Sequence, residues 1–131
     1  MFFLDTDTCV FILRGTSLKA LSHLKDIPHG MVKLPAVVYA ELSFGALKAD
    51  TPSAQKAVEF FVSPFEIVPF DHNAAEIYGE LRMGLEKKGK LIGSNDLMIA
   101  ATAISRRAIL ITHNTKEFSR IQGLKLQDWT I

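Results

Sequence analysis

The residues of this chain best suited to chemistry are carboxylates set directly against apolar runs. The first lies in Phe2-Phe3-Leu4-Asp5-Thr6-Asp7, where a short apolar strand runs straight into acid. A strand that ends in aspartate sets that carboxylate at its C-terminal end, where α/β sheets assemble their ligand sites. A second, Glu41, follows Ala40 within a mostly apolar helical segment. A third, Asp96, follows the glycine-opened turn of Leu91-Ile92-Gly93-Ser94-Asn95-Asp96. Carboxylates gathered from distant segments repel one another unless a cation lies between them, and hard oxygen donors of this kind select Mg²⁺ or Mn²⁺. The pattern reads as metal-dependent phosphate chemistry.

A fourth segment, Thr112-His113-Asn114-Thr115-Lys116-Glu117-Phe118, follows the apolar Ile109-Leu110-Ile111. Asn114 offers a neutral oxygen ligand or a partner for a bound water, and Glu117, about one helical turn on, can reach the same cleft. Each of these residues also has an ordinary structural use. Asp5 and Asp7 suit a helix cap, Glu41 a solvated helix face, Asp96 a first-turn dipole partner, and Thr112 and Asn114 a turn. Their joint placement beside a buried sheet edge is what the structural uses do not explain.

The elements that must carry these residues alternate along the chain as strand and helix, with no repeat and no low-complexity linker. Strands are expected at Phe2–Leu4, at 32–34 before Pro35, at 66–69, at 108–112 and, as a last edge strand, at 125–126. Helices are expected over 7–13, 18–24 with Thr16 or Ser17 as cap, 37–47 carrying Glu41, 52–61, a long one capped by Asp71, and 97–104, with a short turn at 114–118. Parallel strands joined by helical crossovers imply a three-layer α/β/α sandwich with the site at the strands' C-terminal ends.

With 131 residues, the chain suits one compact domain, 1–131. Its 48% hydrophobic and 22% charged residues and formal charge of +1 describe an ordinary globular protein able to bury a full core. A charge near zero argues against nucleic-acid binding by global electrostatics and leaves room for a local patch, such as Arg82, Lys87, Lys88 and Lys90. The single Cys9 forms no internal disulfide and suits a packed thiol in a reducing cytosol. No apolar stretch approaches the ~20 residues that span a bilayer, so a cytoplasmic protein is expected.

Taken together, these segments resemble the PIN-domain endoribonucleases, specifically the VapC toxins of bacterial toxin–antitoxin pairs. The carrying pieces are Leu4-Asp5-Thr6, Ala40-Glu41-Leu42 with Gly45, Ile92-Gly93-Ser94-Asn95-Asp96 with Met98-Ile99-Ala100, and Thr112 to Phe118 followed by Gly123-Leu124-Lys125-Leu126-Gln127-Asp128-Trp129. The resemblance implies a Mg²⁺ site, in which Mn²⁺ substitutes, with Asp5 and Asp96 as principal ligands and Glu41 completing the acidic core. It implies hydrolysis of structured RNA, such as tRNA, to 5′-phosphate and 3′-hydroxyl ends. A homodimer and a VapB-like antitoxin whose tail covers the cleft are implied as well. Where many relatives carry aspartate this chain has Asn114, so Glu117 is expected to supply the missing charge. Asp7 stands where asparagine is frequent, and is expected either to cap the helix or to add a carboxylate to the site.

Two other readings use some of the same residues. Phe2-Phe3-Leu4-Asp5-Thr6-Asp7-Thr8 also fits the opening of haloacid-dehalogenase-type phosphatases, with Asp5 as nucleophile and Asp7 as acid/base. That reading leaves Glu41 and the Thr112 segment without a role. A phosphoacceptor receiver domain would need an acceptor aspartate ending a central strand, and Asp50 lies in a polar turn before Pro52.

Overall fold

The computed structural model describes residues 1–28 and 30–131. Five short strands, β1 (Phe2–Leu4), β2 (Val32–Pro35), β3 (Glu66–Val68), β4 (Ile109–Ile111) and β5 (Lys125–Gln127), form one parallel sheet in the order β3-β2-β1-β4-β5. Its helices are α1 (Thr6–Arg14), α2 (Leu18–Asp26), α3 (Ala36–Ala49), α4 (Pro52–Val62), α5 (His72–Lys87), α6 (Ser94–Ser105) and α7 (Thr115–Phe118). The expected three-layer α/β/α sandwich with a central parallel sheet is what forms. Chain order and sheet order differ: the first strand sits in the middle, flanked by β2 and β4.

A sheet covered on both faces needs apolar strands, and β1 and β4 are apolar throughout. Phe3, Leu4, Leu34, Leu110 and Ile111 are inaccessible to solvent. The helices start where local chemistry supplies a cap. Ser17, Thr51 and Asp71 each accept a hydrogen bond from the third helical amide, at 3.1, 3.2 and 3.0 Å, and Pro52 occupies the first position of α4. Gly15 closes α1 at φ +66°, where a side chain would be strained.

Helix α6 differs from the rest in being buried almost all round, from Leu97 through Ala103. Its alanines at 100, 101 and 103 leave room for close packing, and its main neighbour is α5. The strand expected at 108–112 is shorter, because Ala108 turns into it and Thr112 turns out of it. The helix expected from residue 7 begins at Thr6, since Asp5 is the cap. Cys9 is wholly buried, as expected of a packed thiol.

Candidate active site

Three strand ends place the polar residues of the site. Asp5 follows β1, Thr112 follows β4, and Pro35 ends β2 and opens α3, which carries Glu41 a turn and a half later. Helix α6 brings Asp96 in its first turn, where the helix N-terminus favours negative charge. Asp5, Thr6, Asp7, Glu41, Asp96 and Asn114 line one open cleft of about 380 Å³. A larger apolar hollow of about 580 Å³, between α1, α2 and α4, lacks such convergent polar groups. The chemistry therefore belongs to the smaller cleft.

Asp5 is buried, and both of its oxygens are held. Oδ1 accepts from the Thr6 amide at 2.8 Å and Oδ2 from the Thr112 hydroxyl at 2.7 Å. Thr112 Oγ1 in turn accepts from the Asn114 amide at 3.0 Å, so one hydroxyl ties the aspartate to the turn that carries Asn114. The Thr6 hydroxyl donates to Glu41 Oε1 at 2.5 Å, linking α1 to α3. Asn114 Nδ2 donates to Glu117 Oε2 at 3.1 Å.

Thr6 and Thr112 are positioning residues that sequence reasoning did not single out as such. Their bonds span 35 and 107 residues, which no local pattern encodes. The available signal was a threonine within two residues of the strand end in both β1-Asp5-Thr6 and β4-Thr112. Asp7, left open between cap and site, lies in the first turn of α1 and faces the cleft, while Asp5 is the cap. Asp7 Oδ1 also accepts from the Thr8 amide at 2.7 Å.

The acids in this cleft are electrostatically uncompensated. None of the ion pairs among the described residues includes Asp5, Asp7, Glu41 or Asp96. Burial, and then the Asp7 charge, raise the Asp5 pKa to about 7, against the pull of the Thr112 and Thr6 hydrogen bonds. Burial, followed by Glu41, Glu117 and Asp7, raises Asp96 to about 6. Glu117 does not line the cleft, but its charge is felt there.

This donor set fits a hard divalent cation: anionic oxygens from a strand end and from helices α1, α3 and α6, with no lysine, arginine or histidine among the described residues that line the cleft. Among the described residues no three acidic, imidazole or thiol side chains are already gathered closely enough to hold a metal ion by themselves. The cleft is open, as befits an ion that keeps water and takes substrate phosphate oxygens to complete its coordination.

Comparison with known proteins decides the family. The PIN domain model matches residues 2–124, nearly the whole chain. The chain belongs to the PIN-domain family. Within it, the chain is 37% identical to Ribonuclease VapC2 of Rickettsia felis, with 98% of each chain covered. It is 35% identical to the tRNA(fMet)-specific endonuclease VapC of Shigella flexneri, again with 98% of each covered. Among solved structures it superposes with a TM-score of 0.92, at 36% identity and 98% coverage of each chain, on the complex of VapBC2 from Rickettsia felis with a promoter DNA fragment. These are VapC ribonucleases, so this PIN domain is an endoribonuclease of the VapC type. The matched range spans every segment that lines the cleft.

Proposed function

We propose that this PIN domain is the toxin of a toxin–antitoxin pair, a Mg²⁺-dependent endoribonuclease that hydrolyses structured RNA, tRNA first among the candidates. The observation that carries the reading is the cleft of Asp5, Asp7, Glu41 and Asp96 at the strand ends with no cation of the protein's own. Asp5 and Asp96 are the proposed principal metal ligands, with Glu41 completing the set. A divalent cation there supplies charge neutralisation at the phosphate and acidifies water for attack on phosphorus. The chain's own residues do the positioning. Thr6 and Thr112 hold the Asp5 carboxylate in one orientation, Thr6 also fixes Glu41, and Thr112 sets the Asn114 turn. No protein nucleophile is needed, because water cleaves the diester to 5′-phosphate and 3′-hydroxyl ends.

The names of the relatives support the partner side of the reading. The solved structure from Rickettsia felis contains toxin and antitoxin together, and an antitoxin of VapB type is proposed here. The apolar hollow between α1, α2 and α4, with Phe60 84% exposed beside it, is a surface such a partner could cover. Phe44 and Leu47, exposed on α3, suit the contact of a homodimer.

The test is cleavage of total tRNA by the purified protein, with the new ends mapped. Wild-type protein with Mg²⁺ or Mn²⁺ should cut and leave 5′-phosphates, and chelator or Asp5→Asn should stop it. Cleavage that persists in chelator, or a phosphorylated Asp5 after incubation with a phosphomonoester, would overturn the reading.

A further inference from the structure

The cleft has two walls of different chemistry. Acids make one, and Val10 and Phe11, further along α1, make the other. Phe11 does not stand alone there. Its ring meets that of His113 edge to face, with centroids 5.7 Å apart and planes at 85°. His113 belongs to the turn after β4, next to Asn114, and its side chain is 55% exposed.

An imidazole so exposed is ordinarily free to turn, but this one is held. Its Nδ1 lies 3.0 Å from Asp128 Oδ2 and 3.0 Å from Thr130 Oγ1. Asp128 follows the edge strand β5, and its side chain is only 9% exposed. Its Oδ1 accepts from the Thr130 amide at 2.8 Å and from the Thr130 hydroxyl at 2.6 Å. An ionised carboxylate only accepts, so Nδ1 carries the hydrogen of this pair. Asp128 and Thr130 contribute nothing to the acidic wall. Their product is an aromatic edge of fixed orientation beside it.

A phosphodiester bound at the carboxylates brings its flanking nucleotides against both walls, and the acidic one repels their phosphates. The apolar wall can instead take the flat face of a base. Bases splayed from single-stranded RNA stack on aromatic side chains, and the contact tolerates any base because each has a π-face. We infer that Phe11 and His113 form a stacking wall for an unpaired nucleobase next to the phosphate to be cut, with Asp128 and Thr130 as positioning residues. This rests on the ribonuclease reading and assigns the contact with the flanking base to these two side chains.

The test is single-turnover cleavage of an RNA hairpin, intact or with one abasic residue walked across the positions flanking the cut. Wild-type protein should lose at least about fivefold in kcat/KM at one abasic position, the effect of ~1 kcal/mol of stacking. Phe11→Leu and His113→Ala should lose a similar factor on intact RNA and become indifferent to the abasic site, while Phe11→Tyr keeps the wild-type preference. His113 sits on an exposed turn, so its variant reads binding rather than folding. Both variants discriminating intact from abasic RNA as wild type does would overturn the inference and leave the pair to a protein partner. A wild-type protein that cuts neither RNA would overturn the ribonuclease reading and this one with it.

Discussion

Acid is treated in two ways in this molecule. Along the outer helices and the sheet edge several acids are paired with a cation: Glu66 with Lys33 at 3.0 Å, Glu86 with Arg82 at 3.2 Å, Asp71 with Arg106 at 3.6 Å. In the cleft, Asp5, Asp7, Glu41 and Asp96 face one another, and the groups that hold them are hydroxyls and amides. The outer pairs are exposed, and pairs of that kind are worth ~0–1 kcal/mol. Asp5, by contrast, is almost wholly buried and is pushed to about 7. A fold that can neutralise acid elsewhere and leaves it bare here keeps those charges for something outside the chain.

The largest test of that contrast removes a bare charge. Asp96→Asn should keep the fold and lower RNA cleavage by about a hundredfold or more, the scale of losing charge stabilisation by a metal at phosphorus. Cleavage at the wild-type rate would reduce Asp96 to a helix-dipole residue. Next in size is the frame behind the charge. Thr112→Val deletes both the donor to Asp5 and the acceptor for Asn114, and should cost about 10–100-fold in activity or metal affinity, as loss of groups orienting a metal's ligands does. The same change at Thr102, which bonds only within α6, is the control.

Stability should read the burial of Asp5, and after it the Asp7 charge, directly. A carboxylate of ordinary value 3.8, raised to about 7 in the folded state, keeps a proton there that the unfolded chain has lost. Its stabilising contribution is complete below about pH 3.8 and disappears as pH rises through about 7. Thermal melts in chelator should therefore show Tm falling between pH 4 and 7, with Asp5→Asn flattening that slope and melting several degrees higher at pH 8. Mg²⁺ should raise the wild-type Tm and leave the variant's unchanged.

Asn114→Asp sharpens the comparison further. An aspartate at 114 would add an oxygen ligand of nearly the same shape, yet the asparagine amide donates to Glu117, and an aspartate would set acid against acid. Melts should show a loss of about 1 kcal/mol in chelator, the cost of a broken hydrogen bond, recovered with Mg²⁺. The smallest effect belongs to the paired side. Arg82→Ala should leave the denaturant midpoint unchanged within error, because an exposed pair of this kind is screened by solvent.

What could be read from the sequence was what is local. Ser17, Thr51 and Asp71 act as caps because a hydroxyl or carboxylate accepting from an amide three residues on is a short-range arrangement. Asp5, Glu41 and Asp96 share the cleft because strand ends and a helix start fix them. What could not be read is contact across the chain. The Thr112 bond to Asp5 and the Thr6 bond to Glu41 exist only once β1, α3 and β4 are side by side. Glu117 shows the same limit. Helical spacing puts it within reach of the cleft, and the structure turns it toward Asn114.

The sheet order also bears on when the enzyme comes into being. β1 needs β4, which follows it by about a hundred residues, as its neighbour, and the Asp5 amide bonds to the Ile111 carbonyl at 2.8 Å. Until that late strand leaves the ribosome, Asp5 has neither its backbone partner nor Thr112. Non-local pairing of this kind also makes folding slow. At a synthesis rate of ~5–20 residues per second, a nascent chain spends several seconds with its acids apart. Topology alone thus leaves Asp5 without its backbone partner and without Thr112 in any chain that stops short of β4.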